Sequence, residues 1–206
     1  SRRQRQMCIR DSIDVYEDRL GTYLVGLSAR SLSQADSREV SRLLHTIGDF
    51  ERISDHAVEI AKAAEEMHTK EIHFSTDAQG EVDVISAAVR RVLHISIESF
   101  TTGDVKLAFQ VEPLEQVVDH LRSTMKNRHI ARLQEGSCTI ELGFIFSDLL
   151  TSFERVSDHC SNIAACMIEL QHGSYDTHEY LNSIKNGQSP EFIESYNGFL
   201  KEYALP

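Results

Sequence analysis

Residues 51–61 read ERISDHAVEIA and residues 154–164 read ERVSDHCSNIA, and the two stretches agree at seven of eleven positions. Agreement of that kind within one chain marks an internal duplication. The match extends upstream: Asp11, Asp14 and Asp18 precede the first copy at nearly the distance at which Glu112, Glu115 and Asp119 precede the second. Each motif is therefore the later helix of a pair, and two helices correspond to two helices.

Working outward, apolar residues recur at three and four spacing, the period of an amphipathic helix. Val40, Leu43, Leu44, Ile47, Phe50, Ile53 and Ile60 line the first motif helix, and Phe146, Leu150, Phe153, Val156, Cys160, Ile163 and Met167 the second. The spacing predicts a helix from near the start to about Leu32, with Ile13, Leu20, Leu24 and Leu27 on one face. A second helix runs from Asp36 or Ser37 to just before Phe74, and a third is capped by Asp77 and closed by Gly103. A fourth starts at Asp104 and reaches about Gln134 with a bend at Pro113. The motif helix from about Cys138 to Leu170 and a short final helix from Glu191 to Tyr203 complete the set. Tyr16 and Tyr23 are expected at the core edge; Met125, Met167, Phe144, Phe146 and Phe153 are expected inside.

No segment alternates convincingly as a strand, so the fold class is all-α, with two antiparallel helical-bundle repeats. The first repeat spans residues 1–72 with two helices, the second 73–173 with three, and a tail covers 174–206. The helix at 77–101 has no counterpart ahead of the first pair. Either a further helix precedes residue 1, or the tail helix from Glu191 packs into the vacant place.

A chain of 206 residues can bury a real core. Its formal charge of -11, without any Lys or Arg run, argues against nucleic-acid backbones and anionic membrane surfaces. Metal cations or a basic partner fit that charge better. The four cysteines form no CxxC pair, and three of them sit in apolar helical surroundings typical of buried reduced thiols, which reads as a cytosolic compartment. No apolar run has the length of a membrane span, and SRRQRQ lacks the apolar region of a signal peptide.

Helical phase divides the motif. Glu51, Asp55 and Glu59 form one stripe, Glu154, Asp158 and Asn162 its counterpart, and both stripes border an apolar face. Asp14 and Asp18 share a side of the preceding helix, as do Glu115 and Asp119. If the paired helices face each other, each repeat gathers at least four carboxylates. Like charges at the edge of a low-dielectric core repel unless cations bind between them. The candidate metal ligands are therefore Asp14, Asp18, Glu51, Asp55, Glu115, Asp119, Glu154 and Asp158, a donor set suited to hard or borderline cations. Against this, acidic residues spaced by four are commonly solvated or paired with Lys and Arg; it is the duplication that favours a site. Arg52 and Arg155 are expected to point away toward interhelical salt bridges, and His56 and His159 also turn away from their Asp.

These residues resemble the PhoU family of phosphate-uptake regulators, in which each of two three-helix repeats carries an E/D-x-x-x-D motif before an N-I-A-like stretch. Here the motifs are Glu51 to Asp55 and Glu154 to Asp158, with Asn162-Ile163-Ala164 in the second copy. Glu59 stands where the first copy would carry Asn. The resemblance implies carboxylate clusters holding divalent or trivalent metal ions, iron most often, and restraint of phosphate uptake or signalling without catalysis. Zinc, manganese and magnesium suit the same carboxylates. The lack of a leading helix, together with the tail, looks like the cytoplasmic C-terminal region of bacterial sodium/phosphate cotransporters. That reading implies a location at the inner face of the membrane and, as partner, a transport domain upstream in the same polypeptide. A free-standing regulator acting on a phosphate transporter is the alternative, and a homo-oligomer is compatible with either.

Two other functions compete. A di-iron enzyme needs Glu-x-x-His pairs beside the carboxylates; Glu65 to His68 and Glu169 to His172 have that spacing but lie about 20 Å along their helices at 1.5 Å per residue. A metal-free helical module would bind its partner through the acidic surface instead. No phosphate-binding glycine loop is present.

Overall fold

The computed structural model describes residues 2–172 and 189–206, and every regular element among them is α-helical. The elements are α1 (Arg2–Ser28), α2 (Gln34–Lys70), α3 (Thr76–Thr102), α4 (Val105–Ala108), α5 (Val111–Gln134), α6 (Ile140–His172) and α7 (Pro190–Glu202). Local chemistry sets their ends. Ser33 caps α2 by accepting the Asp36 N–H, and Ser75 caps α3 by accepting that of Ala78. Asp77, expected as that cap, instead lies in the first turn, where its charge suits the helix dipole. Gly103 and Gly136 close α3 and α5 in the left-handed conformation, at φ 72° and 71°.

Pro113 does not bend a continuous helix. The chain breaks at Phe109 and Gln110, after the single turn of α4 capped by Asp104. Pro113 then falls in the first turn of α5, where a missing N–H costs no intrahelical bond.

The second repeat is a three-helix bundle: α3, α5 and α6 pack on one another around Ile85, Val92, Leu114, Val117, Leu121, Phe146 and Ile163. Arg132 grips the buried Glu81 through two contacts of 3.0 and 2.8 Å, with Arg128 at 3.2 Å, tying α5 to α3. The tail helix α7 packs against α5 rather than entering the first repeat, so it does not fill the vacant place. Beyond it, Tyr203 is buried in the core and Arg128 donates to the Pro206 carbonyl at 2.9 Å.

The first repeat is a pair, α1 on α2, and α2 joins the second repeat through its long seam with α6. Among the described residues, α2 is the main helix packed on α1. Tyr16, Leu20 and Tyr23 are exposed, against the expectation that they border the core; Leu24 alone of the α1 leucines is buried. Phe144 is also exposed, at 68%, because α5 leaves a groove beside it.

Leu20 and Leu121 occupy equivalent places in the two repeats, yet they are 48% and 2% exposed. Truncating Leu121 to Ala should cost about 2–5 kcal/mol in urea denaturation. The same change at Leu20 should cost under about 1 kcal/mol; equal costs would mean that the α1 face is covered in solution.

Candidate metal centre

In α5, Glu115 and Asp119 lie one turn apart and share the face turned to α6, where Asp158 stands opposite. Each of the three offers one carboxylate oxygen, and these oxygens lie within 4.8 Å of one another. The group sits at the rim of the apolar core, and Glu115 is only 4% exposed. A hard cation between such oxygens offsets their repulsion, so this donor set fits an oxygen-ligated metal. Glu154, expected in the same set, pairs instead with Arg122 Nε at 3.2 Å. Glu112 accepts a hydrogen bond from Ser161 and so clamps α5 to α6.

The first repeat handles the same charges differently. Arg10 Nε approaches Asp55 Oδ1 to 2.6 Å. Burial, and then the nearby Asp55 and Asp14, raise the Glu51 carboxyl above its usual range. Asp14 Oδ1 is buried without a hydrogen-bond partner. Asp18 stays exposed on α1, and Glu59 leaves the stripe to pair with Lys62 at 2.8 Å. Among the described residues, only Glu115, Asp119 and Asp158 converge closely enough to hold an ion.

Both motif arginines turn back along their own helix, contrary to the expected interhelical bridges. Arg155 Nη1 reaches Asp158 Oδ2 at 3.1 Å, and Arg52 lies 3.8 Å from Glu51. The Arg155 contact forms because residues three apart share a face, whereas Arg52 and Glu51 are adjacent and only just within ion-pair range. Arg10 and Arg122 were missed as members of the acidic groups, although phase places both: Arg10 is one turn before Asp14, and Arg122 three residues after Asp119. At the position equivalent to Arg10 the second repeat has Val111, which is fully buried.

The motif histidines meet each other. His56 and His159 stack with ring centroids 6.0 Å apart and an interplanar angle of 23°. Equivalent residues in contact are what an approximate two-fold between repeats produces. Asp49 holds the pair in place, lying 2.9 Å from His159 Nδ1 and accepting from Asn162 Nδ2 at 3.2 Å. Burial, then His159 and Arg155, lower the pKa of His56. Glu65 and His68 are exposed near the end of α2, away from the carboxylates; the His172 side chain lies outside the described residues.

Among the described residues, Cys138, Cys160 and Cys166 form no disulfide. Cys160 and Cys166 are free, and burial pushes their pKa values up to about 12 and about 11.

Comparison with known proteins follows the same outline. The family model of the PhoU domain matches residues 5–64 and 82–167, one segment in each repeat. The phosphate-specific transport system accessory protein PhoU homolog 1 of Thermotoga maritima is 25% identical over 150 residues, 73% of this chain and 63% of that protein. The corresponding homolog of Pseudomonas aeruginosa is 27% identical over 161 residues, 77% of this chain and 65% of that protein. The chain thus spans just under two thirds of the length of these curated relatives. The crystal structure of PhoU from Pseudomonas aeruginosa superposes with a TM-score of 0.77 at 26% identity, covering 84% of this chain and 82% of that one. The family is one of regulatory accessory proteins rather than enzymes. With both duplicated segments matched and the helical bundle shared, this chain belongs to the PhoU family.

Proposed function

We propose that the chain is a metal-binding regulatory unit that restrains phosphate uptake by acting on a phosphate transporter from the cytoplasmic side. The observation that carries the phosphate link is the PhoU match in both repeats, to relatives named as accessory proteins of phosphate-specific transport. Those names favour a separate accessory regulator over the cotransporter region expected from the sequence. None of the described helices is long and apolar enough to cross a membrane. The test is uptake of radiolabelled phosphate in a phosphate-replete bacterial strain lacking its own PhoU. Expression of the protein should restore low uptake, and unrestrained uptake despite stable expression would contradict the proposal.

For the metal, Glu115, Asp119 and Asp158 supply the converging oxygens, while Arg10 already neutralises Asp55 in the first repeat. The two acidic groups are therefore unequal. In manganese or ferrous titrations followed by metal analysis, Glu115→Gln and Asp158→Asn should weaken the tightest site tenfold or more. Glu51→Gln should leave that site within about twofold, and Arg10→Gln should add metal at the first repeat. Unchanged binding in both Glu115→Gln and Asp158→Asn would remove the second-repeat site from the account.

Glu51 also gives a pH signature without metal. The folded chain holds its proton more tightly than the unfolded chain, so stability falls as pH rises from the ordinary value of 4.5 through the raised one. Glu51→Gln removes that loss. At pH 7 with chelator it should raise stability by about 0.2–0.5 kcal/mol, the scale of a like-charge pair four residues apart. A lower urea midpoint would contradict the repulsion.

A further inference from the structure

Along α5, Glu115 and Asp119 are followed one turn at a time by Arg122, Lys126 and His129, so the face changes from acidic to basic over about 20 Å at 1.5 Å per residue. Beside the basic end, α5 and α6 enclose a cavity of about 290 Å³ that Arg122, Lys126, His129, Phe146 and Leu150 help to line. It lies outside the carboxylate group.

Three features mark the cavity as more than a packing fault. His129 is only 8% exposed, with its ring stacked on Phe146 at 4.8 Å, yet its Nε2 is buried without a hydrogen-bond partner. A buried polar atom of that kind is costly unless something bonds it. Second, the His129 ring packs closely against Gly143 in the opposite wall: a Cβ there would come within 3.0 Å of Nε2, so this edge of the ring fits only beside a glycine. Third, the rim carries Ile130, Ile140 and Phe144, all exposed, next to Lys126 on a chain of net charge -11; Arg122 on the same wall is already paired with Glu154. Apolar walls with a few convergent polar groups are the usual make-up of a small-molecule site, and this volume stands at the small end of the range.

We propose that this α5–α6 groove binds a small soluble amphipathic acid, with its anionic head at Lys126 and its apolar body against Phe146, Leu150 and Phe144. His129 Nε2 bonds an oxygen of the ligand. Burial, and then Arg132, lower the pKa of His129, which keeps the ring neutral at pH 7 and leaves one nitrogen as donor. The charge pattern selects the ligand class: an apolar cation meets Lys126, and an anionic membrane surface meets the repulsion of the chain as a whole.

The test uses the fluorescent acid 8-anilinonaphthalene-1-sulfonate as probe and octanoate as competitor, in buffer containing chelator so that metal binding plays no part. One probe should bind per chain, octanoate should displace it, and octylammonium should not. Lys126→Glu and Phe144→Ser, both at exposed positions, should each weaken octanoate about fivefold or more while circular dichroism stays unchanged. Absence of a saturable site, equal displacement by octylammonium, or unchanged affinity in both variants would overturn the proposal. So would a dimer in sedimentation that Phe144→Ser dissociates, because a second copy would then occupy the groove.

Discussion

Carboxylates pressed together at the edge of an apolar core are the constraint around which this structure is organised. The packing of α5 on α6 is driven by Leu114, Val118, Leu121, Phe153 and Val156, and it fixes the helical phase of everything beside them. Glu115, Asp119 and Asp158 are carried into proximity by that phase. Their repulsion is small against the burial of so many apolar side chains, and so the core forms and the charges must find compensation. A cation between them is one answer. Arg122 on Glu154 and Arg155 on Asp158 are partial answers already built into the chain.

The duplication makes the same constraint visible twice with different outcomes. In the second repeat, α3 packs on both members of the pair. In the first, Arg10 stands where Val111 is buried, so the guanidinium enters the acidic group and Asp55 is already satisfied. Equivalent residues therefore have unequal chemistry. The repeats meet along α2 and α6, where His56 stacks on His159 and Asp49 anchors the contact. A change in the charge of either acidic group lies one residue from this seam.

The all-α class and the pairing of helices were legible because period and duplication are written directly in residue spacing. The convergence of Glu115, Asp119 and Asp158 was legible for the same reason. Glu154 and Asp18 were not separable from them, because spacing places a residue on a face without showing which cation reaches it first. Tyr16, Leu20 and Phe144 show the converse: apolar periodicity marks a face fit for burial, but only the presence of a covering helix decides whether it is buried. Pro113 and Ser75 show that ends depend on one turn of local geometry.

The most direct test of the central claim is anomalous diffraction from crystals grown with manganese or iron and recorded at that metal's absorption edge. The account predicts a peak bounded by Glu115, Asp119 and Asp158, stronger than any at Asp14, Glu51 and Asp55 where Arg10 resides. A peak confined to the first repeat, or no peak at either acidic group, would contradict it.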